Sequence, residues 1–144
     1  MKKSTSIKLI KAPILYQFLQ KLIKFDGGIE LQFDMGEELM IEGRCICKEK
    51  DCATVYLKRA KEWKAEQLGS YFITTSKGIV IFHFSKNGFM EVQALNYELY
   101  PYKYEIQRVL KGDYMEPNAL EILLLEDYFL SLEQLQMQTI IIDG

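Results

Sequence analysis

The chain has 144 residues, of which 49% are hydrophobic, 12% aromatic and 26% charged, and its formal net charge is −2. That length fits a single domain spanning 1–144 that buries roughly two thirds of its unfolded surface, and so apolar a composition excludes intrinsic disorder. The slightly negative balance argues against a nucleic-acid or anionic-membrane partner, because those surfaces select basic proteins.

The charge is unevenly spread. Residues 1–64 hold 13 Lys/Arg and 9 Asp/Glu, a balance of +4, whereas residues 65–144 hold 5 and 11, a balance of −6. No Lys or Arg follows Lys111. The two ends either answer each other internally or leave an acidic, partner-binding face in the last third. Lys2 and Lys3 ahead of Leu9 and Ile10 look faintly like a leader, but Lys8 and Lys11 interrupt the apolar run and no small-residue cleavage site follows. No stretch approaches the roughly 18 apolar residues of a membrane span. Three cysteines, an odd number, fit a reducing compartment better than a disulfide scaffold. The expectation is a soluble, cytoplasmic protein.

Residues 1–11 read as a tail or a first edge strand. Pro13 suits the first turn of a helix, where its missing N–H had no partner to lose. Leu15, Phe18, Leu19, Leu22 and Ile23 follow at helical spacing, and Gly27-Gly28 stop the helix. Period-two alternation of Ile29, Leu31 and Phe33 then predicts a strand, with a turn at Gly36-Glu37-Glu38. Leu39–Lys48 and Cys52–Lys58 read as the next two strands. Residues 59–68 are a short helix or an extended segment with a loop.

Tyr71–Thr75, Gly78–Ser85 and Phe89–Leu95 are the clearest strands. Asn87-Gly88 joins the last two, since both residues tolerate positive φ. The middle strand is apolar on both faces, which predicts a central position covered on both sides. Tyr102, Ile106, Val109 and Leu110 form a helical stripe ending at Lys111-Gly112. Pro117-Asn118 opens another helix, with Asn118 as cap and Glu121 three residues on, placed to reach back. Ser131 with Gln134 repeats that spacing and predicts a break near residue 130. Thr139–Ile142 reads as a final strand. The predicted fold is α+β: an antiparallel sheet of about five or six strands, with an N-terminal helix and C-terminal helices packed against it.

Cys45, Cys47 and Cys52 concentrate thiol chemistry within eight residues. If Lys48 pairs with Asp51 across Glu49-Lys50, Cys47 faces Cys52 and Cys45 faces Thr54, so the three sulfurs share one patch. Such a patch suits zinc, with His83, the one histidine, or Asp51 or water as a fourth ligand. The basic neighbours Lys48, Lys50, Lys58 and Arg59 would instead activate a thiol. Plain core packing is the remaining reading, because free cysteine packs like a small hydrophobe.

His83 alone could serve as a general base, although its place between Phe82 and Phe84 suits a structural residue equally. Asp34, Glu37 and Glu38 cluster at a turn, as paired acids or as a solvated corner. Lys58, Arg59, Lys61 and Lys64 surround Trp63, but Glu62 and Glu66 dilute the patch. Tyr97, Tyr100, Tyr102 and Tyr104 form an interface candidate, tyrosine combining apolar area with a hydroxyl. Hydrolase, zinc-peptidase, dinucleotide and phosphate-loop motifs are absent from the sequence.

The sequence therefore points to a small non-enzymatic binding or regulatory protein acting through a protein–protein surface, by a partner or by self-association. Leu120–Leu132 and Thr139–Ile142 are apolar enough for such an interface. The alternative is a zinc-binding or redox-active thiol protein centred on the cysteine hairpin.

Overall fold

The computed structural model describes residues 7–26, 34–44, 54–76, 78–94, 101–130 and 141–142. Their organising element is an antiparallel sheet whose strand order is β1-β2-β3-β6-β5-β4-β7. The strands are β1 (Ile7–Lys8), β2 (Leu39–Arg44), β3 (Val55–Arg59), β4 (Gly69–Thr75), β5 (Gly78–Phe84), β6 (Phe89–Ala94) and β7 (Ile141–Ile142). The helices are α1 (Pro13–Asp26), the single turn α2 (Met35–Glu38), α3 (Lys103–Leu110) and α4 (Ala119–Leu130). The α+β class holds, with the short edge strands β1 and β7 bringing the described sheet to seven strands.

Alternation along the strands sorts side chains onto two faces. Leu39, Ile41, Val55, Leu57, Ile73, Val80, Phe82, Met90 and Val92 are buried on one of them. They form a common core with Leu15, Phe18, Leu19 and Leu22 of α1, Ile106 and Val109 of α3, and Leu125 and Tyr128 of α4. Phe18 sits at the centre of the helix layer, its ring edge-on to Tyr102 at 5.2 Å and to Tyr128 at 5.3 Å.

β5 is central in order, between β6 and β4, but it is covered on one face only: Ile79 is 48% exposed, while Ile81 and His83 are half-buried. The expected double cover fails because the core helices all gather against the Val80–Phe82–Phe84 side. Among the described residues no helix covers the other face of the sheet.

Local signals place most boundaries. Asn87 (φ 66°) and Gly88 (φ 81°) turn the chain between β5 and β6, closed by the Ser85 N–H donating to Phe89 O at 2.9 Å. Gly88 also has no room for a side chain, since a Cβ would lie 2.2 Å from the Arg59 carbonyl oxygen. At α4 the expected capping box is complete: the Glu121 N–H donates to Asn118 Oδ1 at 2.9 Å, and the Asn118 N–H donates to Glu121 Oε1 at 3.4 Å.

Gly36-Glu37-Glu38 belongs to the single turn α2 rather than to a plain turn, with Asp34 accepting from the Glu37 N–H. Residues 60–68 hold only a short 3-10 turn, Ala65–Gln67. The expected strand over Ile29–Phe33 lies outside the described residues.

Candidate functional site

Cys45, Cys47 and Cys52, expected to form a hairpin, lie outside the described residues. The strands leading into it carry a bulge between Ile41 and Gly43, beyond which Gly43 pairs with Tyr56 and Arg44 with Val55. That offset is the one the sequence expects for Lys48 opposite Asp51. His83 is occupied elsewhere, as described below. Among the described residues, no three His, Cys, Asp or Glu side chains come together as metal ligands.

The tyrosine segment divides. Tyr97 and Tyr100 fall outside the described residues. Tyr102 is fully buried against Phe18 and belongs to the core, whereas Tyr104 is 49% exposed. As an interface candidate Tyr102 is therefore corrected: it occupies the buried side of the turn that opens α3. Trp63 is also a core residue, its indole N–H donating to Phe89 O at 2.8 Å and its ring stacked edge-on to Phe84 at 5.0 Å. It offers no exposed platform to the lysines around it. The acidic corner is likewise structural, with Asp34 capping α2, Glu37 paired with Lys8 at 2.8 Å and Glu38 with Arg59 at 3.6 Å.

Glu105 and Arg108, which the sequence does not single out, tie the helix layer together with Glu121. Ala12, ahead of α1, carries only a methyl group that cannot accept a hydrogen bond, and Glu105 of α3 caps the helix from 90 residues away. Its Oε2 accepts from the Ile14 N–H and its Oε1 from the Leu15 N–H, both at 2.9 Å. Burial pushes the Glu105 carboxyl up to about 7, against the opposing pull of those two N–H donors. One turn along α3, Arg108 holds Glu121 of α4 through two parallel bonds of 2.9 and 3.0 Å. Glu121 is only 1% exposed, so this pair anchors α4 from its buried side.

That anchoring fixes which face of α4 looks outward. Glu121, Leu125 and Tyr128 point in, while Leu120, Ile122, Leu123 and Leu130 are exposed, Leu123 by 60% and Leu130 by 85%. Leu120, Leu123 and Leu130, with Asp127 between, follow a three-four-three spacing and so line one strip. Beside the helix runs a groove of about 530 Å³, walled by Ile10, Pro13, Gln17 and Lys21 on one side and by Tyr114, Met115, Ile122 and Glu126 on the other. Exposed Tyr114 and Met115 continue the apolar strip along its rim. The α1 wall carries Lys11 and Lys21, and the α4 wall carries Glu116 and Glu126.

The open sheet face carries a second group. Register sets Ser70 opposite His83 and His83 opposite Glu91. His83 Nδ1 is hydrogen-bonded to Ser70 Oγ, while Nε2 lies 3.0 Å from Gln93 Oε1 and 3.7 Å from Glu91 Oε2. The signal was present in the sequence: a tight turn pairing Thr75 with Gly78 brings Ser70 to His83.

Comparison with protein-family models, with curated proteins and with solved structures gives no match to this chain. No described helix is long and apolar enough to cross a membrane.

Proposed function

We propose that this chain is a binding or regulatory protein that acts through a protein–protein surface, and that the outward strip of α4 with its adjoining groove is that surface. The observation that carries the reading is the exposure of Leu120, Leu123 and Leu130 on a helix anchored from behind by a buried ion pair. A helix apolar on both its inward and its outward side is the pattern of one covered on both sides.

The occupant we assign is an amphipathic helical segment of a different protein, apolar on one side and flanked by Lys or Arg. α4 is about 18 Å long, enough to seat three turns of such a helix. Its outward charges are Glu126 and Asp127, Glu121 being buried against Arg108; Glu116 stands just ahead of it, and no basic residue follows Lys111. Two copies packed α4 against α4 would oppose carboxylate to carboxylate without a cation from either helix. A partner with basic flanks meets the same strip with complementary charge.

Sedimentation velocity at low and high concentration, with and without a synthetic leucine-lysine amphipathic peptide, tests this. The expected result is a monomer alone and a one-to-one complex with peptide, lost on Leu123→Asp. Concentration-dependent dimers without peptide would replace the heterologous partner by a second copy. A monomer that ignores the peptide would overturn the reading.

A further inference from the structure

The open face of the sheet supports an activity independent of the α4 surface. Ser70, His83 and Glu91 stand in one cross-strand row over β4, β5 and β6, with Gln93 one diagonal step away. Strand alternation puts all four on the side away from the helices, and all four are half-buried. Two oxygens, Gln93 Oε1 at 3.0 Å and Glu91 Oε2 at 3.7 Å, face His83 Nε2. A neutral imidazole there keeps its proton on Nε2, where it has acceptors, and leaves the Nδ1 lone pair bare. That lone pair is aimed at the Ser70 hydroxyl.

A hydroxyl, a base within hydrogen-bond reach of it, and acceptors that orient the base are the three roles of an activated serine. They match the serine-histidine-acid arrangement with the two ring nitrogens exchanged. On the β6 side of His83, across the ring from Ser70, a depression of about 390 Å³ is lined by Tyr56, Ser85, Phe89 and Glu91. Phe89 is 44% exposed and gives it an apolar wall suited to a flat aromatic group. Ser70 itself is paired on both sides, with His83 of β5 and Ile142 of β7, so its own backbone stays in the sheet.

We propose that Ser70 is a nucleophile, with His83 as its general base, that takes up the acyl group of small aryl esters. In the step, the Ser70 O–H proton passes to His83 Nδ1 and Oγ bonds to the acyl carbon. The ester C–O bond then breaks, and the phenol oxygen leaves with the proton returned by His83. Water repeats the sequence to free the serine. With the Ser70 backbone held in the sheet, the reaction favours leaving groups as good as a phenolate. Glu91 and Gln93 are positioning residues.

A fluorophosphonate reads the same nucleophile and leaves a stable adduct: Oγ bonds to phosphorus, the P–F bond breaks, fluoride departs and the proton goes to His83. The full chain is incubated with the probe at pH 7.5, and the adduct is located by peptide mass spectrometry. We expect one adduct per chain, on Ser70, formed about 100-fold more slowly in His83→Phe, as loss of a general base requires. Gln93→Leu slows labelling while Gln93→Glu retains it, with urea midpoints unchanged in both. No adduct, an adduct on any other residue, or labelling of Ser70 at an unchanged rate in a folded His83→Phe or His83→Gln would overturn the proposal.

Discussion

Glu105 caps α1 through Leu15, its Oε1 accepting the Leu15 N–H at 2.9 Å from a helix 90 residues away in sequence. With Ile14 bound by the other oxygen, a carboxylate fully removed from water stands at the positive end of a 14-residue helix. Burial outweighs the donors and raises its pKa from its ordinary 4.5 to about 7. A folded-state pKa above the unfolded one means that the native state holds the extra proton between those values. This group's stabilising contribution is therefore complete below pH 4.5 and is lost as pH rises through about 7. Converted at about 1.4 kcal/mol per pH unit, the loss is at most about 3.5 kcal/mol. Urea unfolding of the native chain and Glu105→Gln at pH 5 and pH 8 measures it. The stability difference, native minus variant, falls by up to that amount over this range; a difference that grows with pH would mean that the two N–H donors prevail.

Arg108→Met removes the cation from a carboxylate that is 1% exposed. A buried ion deprived of its partner costs about 3 kcal/mol or more, which in a chain of this size lowers Tm by about 10 °C. The double variant Arg108→Met/Glu121→Leu removes the stranded charge as well and recovers most of the loss. Calorimetry of the three proteins checks the order, native above double above single.

Gly88→Ala strains the turn in two ways at once. Its φ of 81° disfavours any side chain, and the added Cβ meets the Arg59 and Lys61 carbonyl oxygens at 2.2 and 2.7 Å. Backbone must move, at a cost of about 3 kcal/mol. Denaturant midpoints of Gly88→Ala and Asn87→Gly separate the effects, because Asn87→Gly keeps the positive φ (66°) accessible and stays within about 0.5 kcal/mol of the native chain.

Local chemistry made much of this fold readable. Pro13 announced α1, Asn118 with Glu121 announced α4, Asn87-Gly88 announced the β5–β6 connection, and helical spacing named Leu15, Phe18, Leu19 and Leu22 as core. What stayed hidden was long-range. Nothing near Ala12 in the chain reveals that Glu105 supplies its missing cap. Nor does an apolar strand reveal that helices will cover only one side of it, which is why Ile79 and Ile81 remain on the open face. The Ser70–His83 pairing lies between, since the turn that pairs Thr75 with Gly78 sets it but neither residue belongs to a local motif. Tyr102 shows the reverse: a residue type favoured at interfaces occupies the core.

The docking strip is tested most directly by NMR of isotope-labelled chain titrated with two synthetic helical peptides that share a leucine face, one flanked by lysines and the other by glutamates. Leu123 is 60% exposed, so Leu123→Asp leaves folding within about 0.5 kcal/mol and serves as the control. The account predicts shifts confined to α4 and the groove wall around Ile10 and Met115, with the lysine peptide only, and their loss in Leu123→Asp. Equal response to both peptides, shifts elsewhere on the molecule, or none at all would contradict it.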